Sequence, residues 1–98
     1  MSGLKEQLAE RVETREPSMY KVVIMNDNFT TMDFVVMVLM SVFHKTMNEA
    51  RRTMLEVHKS GVGVAGVYTY EIAETKVRQV ESLAEKHGHP LRCAMEES

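Results

Sequence analysis

Met32 to Phe43 is apolar at ten of twelve positions, broken only by Asp33 and Ser41. Water does not tolerate such a segment on an open surface, and its longest unbroken stretch, Phe34 to Met40, is far too short to cross a bilayer. It must therefore be an inner element on which the rest of the chain closes. With 98 residues there is room for one domain with one modest core, and too little for two lobes around a cleft. Thr30 is placed to cap a helix here, with Asp33 three residues on completing a capping box. The expectation is a helix from Thr31 to about Lys45.

The remaining elements follow in quick succession. Met19 to Met25 is rich in β-branched and large apolar residues, which favours a strand. Thr46 and Glu49 have capping-box spacing, so a second helix starts there and runs to about His58, with Lys59-Ser60-Gly61 ending it. The Val-rich stretch from Gly61 to Tyr68 predicts a short buried strand. Thr69 is the expected cap of a third helix, in which Ile72, Ala73, Val77, Val80, Leu83 and Ala84 line one face and Gly88 is the stop. Pro90 to Met95 closes the chain as a last strand. The order β-α-α-β-α-β predicts an α+β sandwich, a three-stranded antiparallel sheet packed against three helices.

Residues 1 to 17 differ from this pattern. Mixed charges dominate, with Leu4, Leu8 and Val12 as the sizeable apolar residues after Met1, and Pro17 breaks any helix they begin. The expected division is a flexible N-terminal extension over 1 to 17 and one core domain over 18 to 98.

Composition narrows the function. A net charge of −2 leaves no basic excess for a nucleic-acid surface. The opening MSGLKEQLAE lacks the charged-then-apolar layout of a signal peptide, and the single Cys93 excludes an intrachain disulfide and fits a reducing compartment. The expected setting is the cytoplasm, with no membrane contact.

Three motifs fail on context. GVGVAG at 61 to 66 matches a dinucleotide fingerprint in spelling, but that motif must follow a strand and open a helix, and here it follows a helix and is built of strand formers. His87-Gly-His89 has no Cys or acidic ligand near it in sequence, and reads better as a helix end than as a metal site. Cys93 reads as a small apolar residue of the last strand rather than a nucleophile. No nucleophile, base pair or metal cage is legible, so neither an enzyme nor a cofactor is expected.

Chemistry is concentrated elsewhere. Asn26, Asp27 and Asn28 set short polar side chains between the first strand and the apolar helix, where oxygens can face a ligand whose apolar part enters the layer. His58 follows Met54 by one helical turn and adjoins Val57, on or beside the apolar face of the second helix. Nine methionines either fill the core or line a pocket that accepts several apolar shapes.

These residues carry a resemblance. From about Ser18 to Glu97 the chain resembles ClpS, the adaptor that recognises N-end-rule degrons for the ClpA unfoldase of the ClpAP protease. The likeness runs through SMYKVVIMND, TMDFVVMVL, MLEVHKSG, GVYTYEIAETKV and HGHPLRC. It implies an α-amino-binding set at Asn26, Asp27, Asn28 and His58. It implies a hydrophobic pocket of Ile24, Thr30, Met32, Val35, Met54, Val57 and Leu91, with Met32 guarding it against β-branched side chains. It places the surface that docks on ClpA at Glu71, Glu74 and Lys76. The implied partners are proteins and peptides that begin with Leu, Phe, Tyr or Trp, and a ClpA-type AAA+ unfoldase. Two positions depart from the family pattern: Asn28 stands where Asp is usual, and Thr31 where Pro is usual. Asn keeps a carbonyl acceptor but removes a full charge, which implies weaker or narrower recognition. The competing reading is a non-catalytic interaction module of similar fold without degron binding.

Overall fold

The computed structural model describes residues 16–98. The expected N-terminal extension therefore lies outside the described residues over 1–15. Strand β1 spans Met19–Met25, helix α1 Met32–Ser41, helix α2 Met47–Ser60, strand β2 Val62–Thr69, helix α3 Tyr70–Lys86 and strand β3 Arg92–Glu97. The sheet order is β2-β1-β3, with β1 antiparallel to both neighbours. This is the expected α+β sandwich. None of the described helices is long and apolar enough to cross a membrane.

Alternation along β1 explains how the core forms. Successive side chains of a strand point to opposite faces, and Val22 and Ile24 are completely buried on the face that receives the helices. The pairs Val22–Gly66 and Val23–Val64 leave Ala65 as an extra residue, so β2 carries a bulge there. α3 packs across all three strands, α2 covers β2, and α1 packs on α2. Phe34, Val35, Val38 and Leu39 bury the face of α1 that the apolar run foretold. In α3, Ala73, Val80 and Ala84 are buried, but Ile72 is 50% exposed, because it sits at the edge of that face in the first turn.

Helix boundaries follow local hydrogen bonds. α2 has the expected capping box, with the Glu49 N–H donating to Thr46 Oγ1 (3.2 Å) and the Thr46 N–H to Glu49 Oε1 (2.9 Å). For α1 the cap moves by one residue: the Phe34 N–H donates to Thr31 Oγ1 (3.1 Å), while the Thr30 hydroxyl donates to Asp27. α1 also ends sooner than Lys45. His44 adopts a left-handed conformation (φ 55°) and the Lys45 N–H turns back onto the Leu39 carbonyl (3.1 Å). Gly88 (φ 73°) ends α3 in a Schellman turn, with His89 N–H on the Ala84 carbonyl and Gly88 N–H on that of Glu85. β3 begins two residues after Pro90, which has no N–H to give a ladder.

The motifs dismissed on context have structural explanations. Gly63 and Ala65 of GVGVAG are buried positions of β2, under the helices. His87 and His89 lie against the ring of Phe34, with centroids 5.7 and 4.2 Å away. Among the described residues no three His, Cys, Asp or Glu side chains are grouped to hold a metal. Burial, with Glu81 nearby, pushes the Cys93 thiol up to about 12, so it carries almost no thiolate at neutral pH.

Candidate functional site

A cavity opens where β1 runs out beside the last turn of α2. The first N–H beyond β1, that of Asn26, donates to the carbonyl of Gly61 just past α2 (2.9 Å). That bond continues the β1–β2 ladder past its last pair, Met25–Val62, and brings the start of the loop to the end of α2. Asn26, Asp27, Asn28 and His58 line the cavity with Thr30. Met32 and Val35 of α1 and Met54 and Val57 of α2 complete the lining. Asn26, Asn28 and His58 are exposed and Val35 and Val57 are buried, so the mouth is polar and the floor apolar. The volume is about 230 Å³. Drug-sized ligands fill roughly 300–1,000 Å³, so this cavity suits one large side chain rather than a cofactor.

Nine of the residues expected at an amine site or apolar pocket thus meet at one cavity, although they come from two separate segments, 26–35 and 54–58. Ile24 and Leu91 are elsewhere. Both are enclosed in the core, which shares a wall with the cavity through Val35 and Val57. His58 is not a core histidine; it stands exposed on the last turn of α2.

Asp27 has a job of its own in the loop. Its Oδ1 accepts from the N–H groups of Phe29 (2.8 Å) and Thr30 (2.6 Å), and its Oδ2 from the Thr30 hydroxyl (2.7 Å). This is the local Asx closure that an Asp followed by small polar residues favours. The D-N-F-T spelling carried that signal, which the reading of Thr30 as a helix cap overlooked. Partial burial alone would raise the Asp27 carboxyl, but the three hydrogen bonds and the charge of His89 hold it below the ordinary value.

A pH dependence follows. The folded carboxyl is the more acidic, so its contribution to loop order is complete above the unfolded value and is lost as pH falls through the lower, folded one. In heteronuclear NMR the Phe29 and Thr30 amide signals are expected to hold steady down to the ordinary Asp range and to move together below it. Asp27→Asn removes that acid transition. Amide signals that titrate at or above the ordinary Asp range would contradict the closure.

The surface expected to dock on an unfoldase is on α3. Glu71 is exposed, and Glu74 is half-exposed and pairs with Arg78 (3.6 Å). Lys76 is half-buried; its Nζ donates to the Val42 carbonyl at the end of α1 (2.7 Å) and lies 5.7 Å above the Tyr68 ring centre. Lys76 therefore ties α3 to α1. It also borders a wider, open cleft of about 670 Å³ between α1 and α3, edged by His44, Arg78 and Lys86. That cleft offers cations and hydroxyls rather than the acceptors of the smaller cavity, so the two are chemically distinct.

A small α+β fold with a side-chain-sized cavity, apolar within and acceptor-rich at its mouth, has the form of a recognition module. The chain belongs to the ClpS family: the family model described as ATP-dependent Clp protease adaptor protein ClpS matches residues 15–94. The ATP-dependent Clp protease adapter protein ClpS of Desulfotalea psychrophila is 60% identical over 85 residues, covering 87% of this chain and 83% of that one. Its counterpart in Caulobacter vibrioides is 57% identical over 84 residues, 86% of this chain and 77% of the relative. Among solved structures, ClpS2 of Agrobacterium tumefaciens bound to L-phenylalaninamide superposes with a TM-score of 0.82 at 36% identity, covering 85% of this chain and all of that one.

Proposed function

We propose that the chain is a cytoplasmic adaptor that binds proteins by a free α-amino group and a bulky hydrophobic first residue, and delivers them to the ClpA-type unfoldase of the Clp protease. The observation that carries this reading is the meeting of Asn26, Asn28 and His58 at the mouth of a cavity whose floor is Val35, Met54 and Val57. An α-ammonium brings three N–H donors and, with an ordinary pKa near 8, a positive charge at neutral pH. Three acceptors at the mouth can satisfy it: the amide oxygens of Asn26 and Asn28 and an imidazole nitrogen of His58. An internal peptide N–H offers one uncharged donor and leaves acceptors unpaired, at about 1–3 kcal/mol each. That penalty selects chain ends.

The first side chain then enters the apolar floor, gaining about 25 cal/mol per Å² buried. Leu, Phe, Tyr and Trp gain most. Met32, half-exposed in the cavity lining, is the proposed guard against β-branched residues, which are widest and stiffest at the β-carbon. Asp27 holds the loop so that its neighbours keep their places, and one lone-pair direction of Oδ2 remains to add charge at the mouth. L-phenylalaninamide, the molecule bound to the Agrobacterium relative, has the free amine and aromatic side chain that this reading asks of a ligand. Glu71, Glu74 and Lys76 are the proposed contacts to the unfoldase.

The test is an anisotropy competition among peptides that differ only in the first residue. Leu, Phe, Tyr and Trp should compete well, and Ile and Val poorly. Equal competition across the series would remove the cavity from the account. A second expectation concerns Asn28. Asn28→Asp restores a carboxylate opposite the ammonium, and should tighten binding by up to about 1 kcal/mol, the range of solvent-exposed ion pairs. The gain should shrink at high salt. Isothermal titration at two ionic strengths measures it, and an unchanged affinity would mean that Asn28 does not face the amine.

A further inference from the structure

We infer that Phe29 is a specificity residue for the second position of the bound peptide, favouring a bulky apolar side chain there. This rests on the degron-binding reading above and extends it by one residue. Asn28 and Thr30 both line the cavity, so the backbone of Phe29 stands at its mouth, yet its side chain is not part of the lining. It stands in solvent, 79% exposed, the most exposed of the large apolar side chains among the described residues.

Single exposed apolar residues are common and need no purpose. Phe29 differs by its setting. The loop uses only its backbone: the Phe29 N–H donates to Asp27 Oδ1, which any residue other than proline would supply. The ring has no aromatic partner among the described residues. The fold therefore gives no reason for an aromatic side chain at this point. Its position is also held, because Asp27 binds the N–H groups of both Phe29 and Thr30. With the backbone that carries it held, packing on the ring costs only the freedom of its two χ angles.

Peptide geometry supplies the occupant. With the amine on Asn26, Asn28 and His58 and the first side chain in the cavity, the chain must leave by the mouth. Side chains of an extended peptide alternate in direction, so the second one turns out of the cavity, toward the rim. Phe29, between the lining residues Asn28 and Thr30, is on that rim. An apolar second side chain covers part of the ring and removes both from water. Glycine offers nothing to cover it.

The experiment titrates the full chain with two peptides, beginning Phe-Leu and Phe-Gly and otherwise identical. The wild-type protein should bind Phe-Leu about three- to tenfold more tightly, the range of one aromatic–apolar contact. Phe29→Ala should weaken Phe-Leu to the level of Phe-Gly and leave Phe-Gly unchanged. Phe29→Tyr, which keeps the ring, should keep the preference. Thermal melts of both variants should match the wild type, since the side chain is exposed. No preference in the wild type overturns the inference, as does a preference that survives Phe29→Ala, or an equal loss for both peptides. In each of these cases the degron reading stands. Failure of the wild type to bind either peptide overturns that reading and this inference together.

Discussion

Replacing His58 by alanine is expected to weaken binding of a Phe-initiated peptide by about 1.5–3 kcal/mol, the worth of a hydrogen bond to a charged group. That is roughly ten- to a hundredfold in Kd. His58 is exposed on the last turn of α2 and takes no part in the core cluster, so the melting temperature should stay where it is. The loss should fall on every peptide with a free amine, whatever its first side chain, because the imidazole meets the amine and not the apolar floor. If the variant instead discriminated against large side chains alone, His58 would belong to the pocket wall. An unchanged affinity would remove it from the site.

Gly63→Ala is expected to damage fold and site together. Gly63 pairs with Ile24 in the sheet and faces α2. A Cβ added there would be 2.7 Å from Val57 Cγ2 and 3.4 Å from the Thr53 carbonyl. Val57 is 2% exposed and β-branched in a helix, so it has no free rotamer to retreat into. β2 and α2 must therefore separate, at a cost of about 1–3 kcal/mol for an overpacked site. Because Val57 also lines the cavity, peptide affinity should fall with stability. Urea unfolding measures the first and titration the second. Val57→Ala in the same chain removes the opposing methyl groups and should make the glycine substitution far less costly than it is alone. Full stability of Gly63→Ala would mean that β2 and α2 are not in such close contact.

The sequence revealed periodic and capped elements most clearly. β1 is bounded as expected because β-branched residues end abruptly at an Asn-Asp-Asn run. α2 is bounded by a complete capping box and a left-handed Gly61. Errors arose where two polar side chains competed for one task. Thr30 and Thr31 can each cap α1, and the choice falls to Thr31 because Asp27 has already engaged Thr30. Nothing in the spelling of FHKT marks the left-handed His44 that ends α1 early. The pocket was legible as residue types around Asn26 and His58, through family likeness more than through periodicity. Which apolar residues face the cavity and which face the core is a matter of packing. Val57 reaches both, Ile24 only the core, and sequence spacing does not separate them.

The central claim is that the cavity reads a free chain end. Calorimetric titration of one Phe-initiated peptide against its N-acetylated twin tests it most directly. Acetylation removes the charge and leaves a single N–H, so acceptors at Asn26, Asn28 or His58 go unpaired at about 1–3 kcal/mol each. The free peptide should bind at least about thirtyfold more tightly, since two such losses come to at least about 2 kcal/mol. Equal affinity of the two peptides would contradict the account, and would leave the cavity an apolar socket indifferent to the amine.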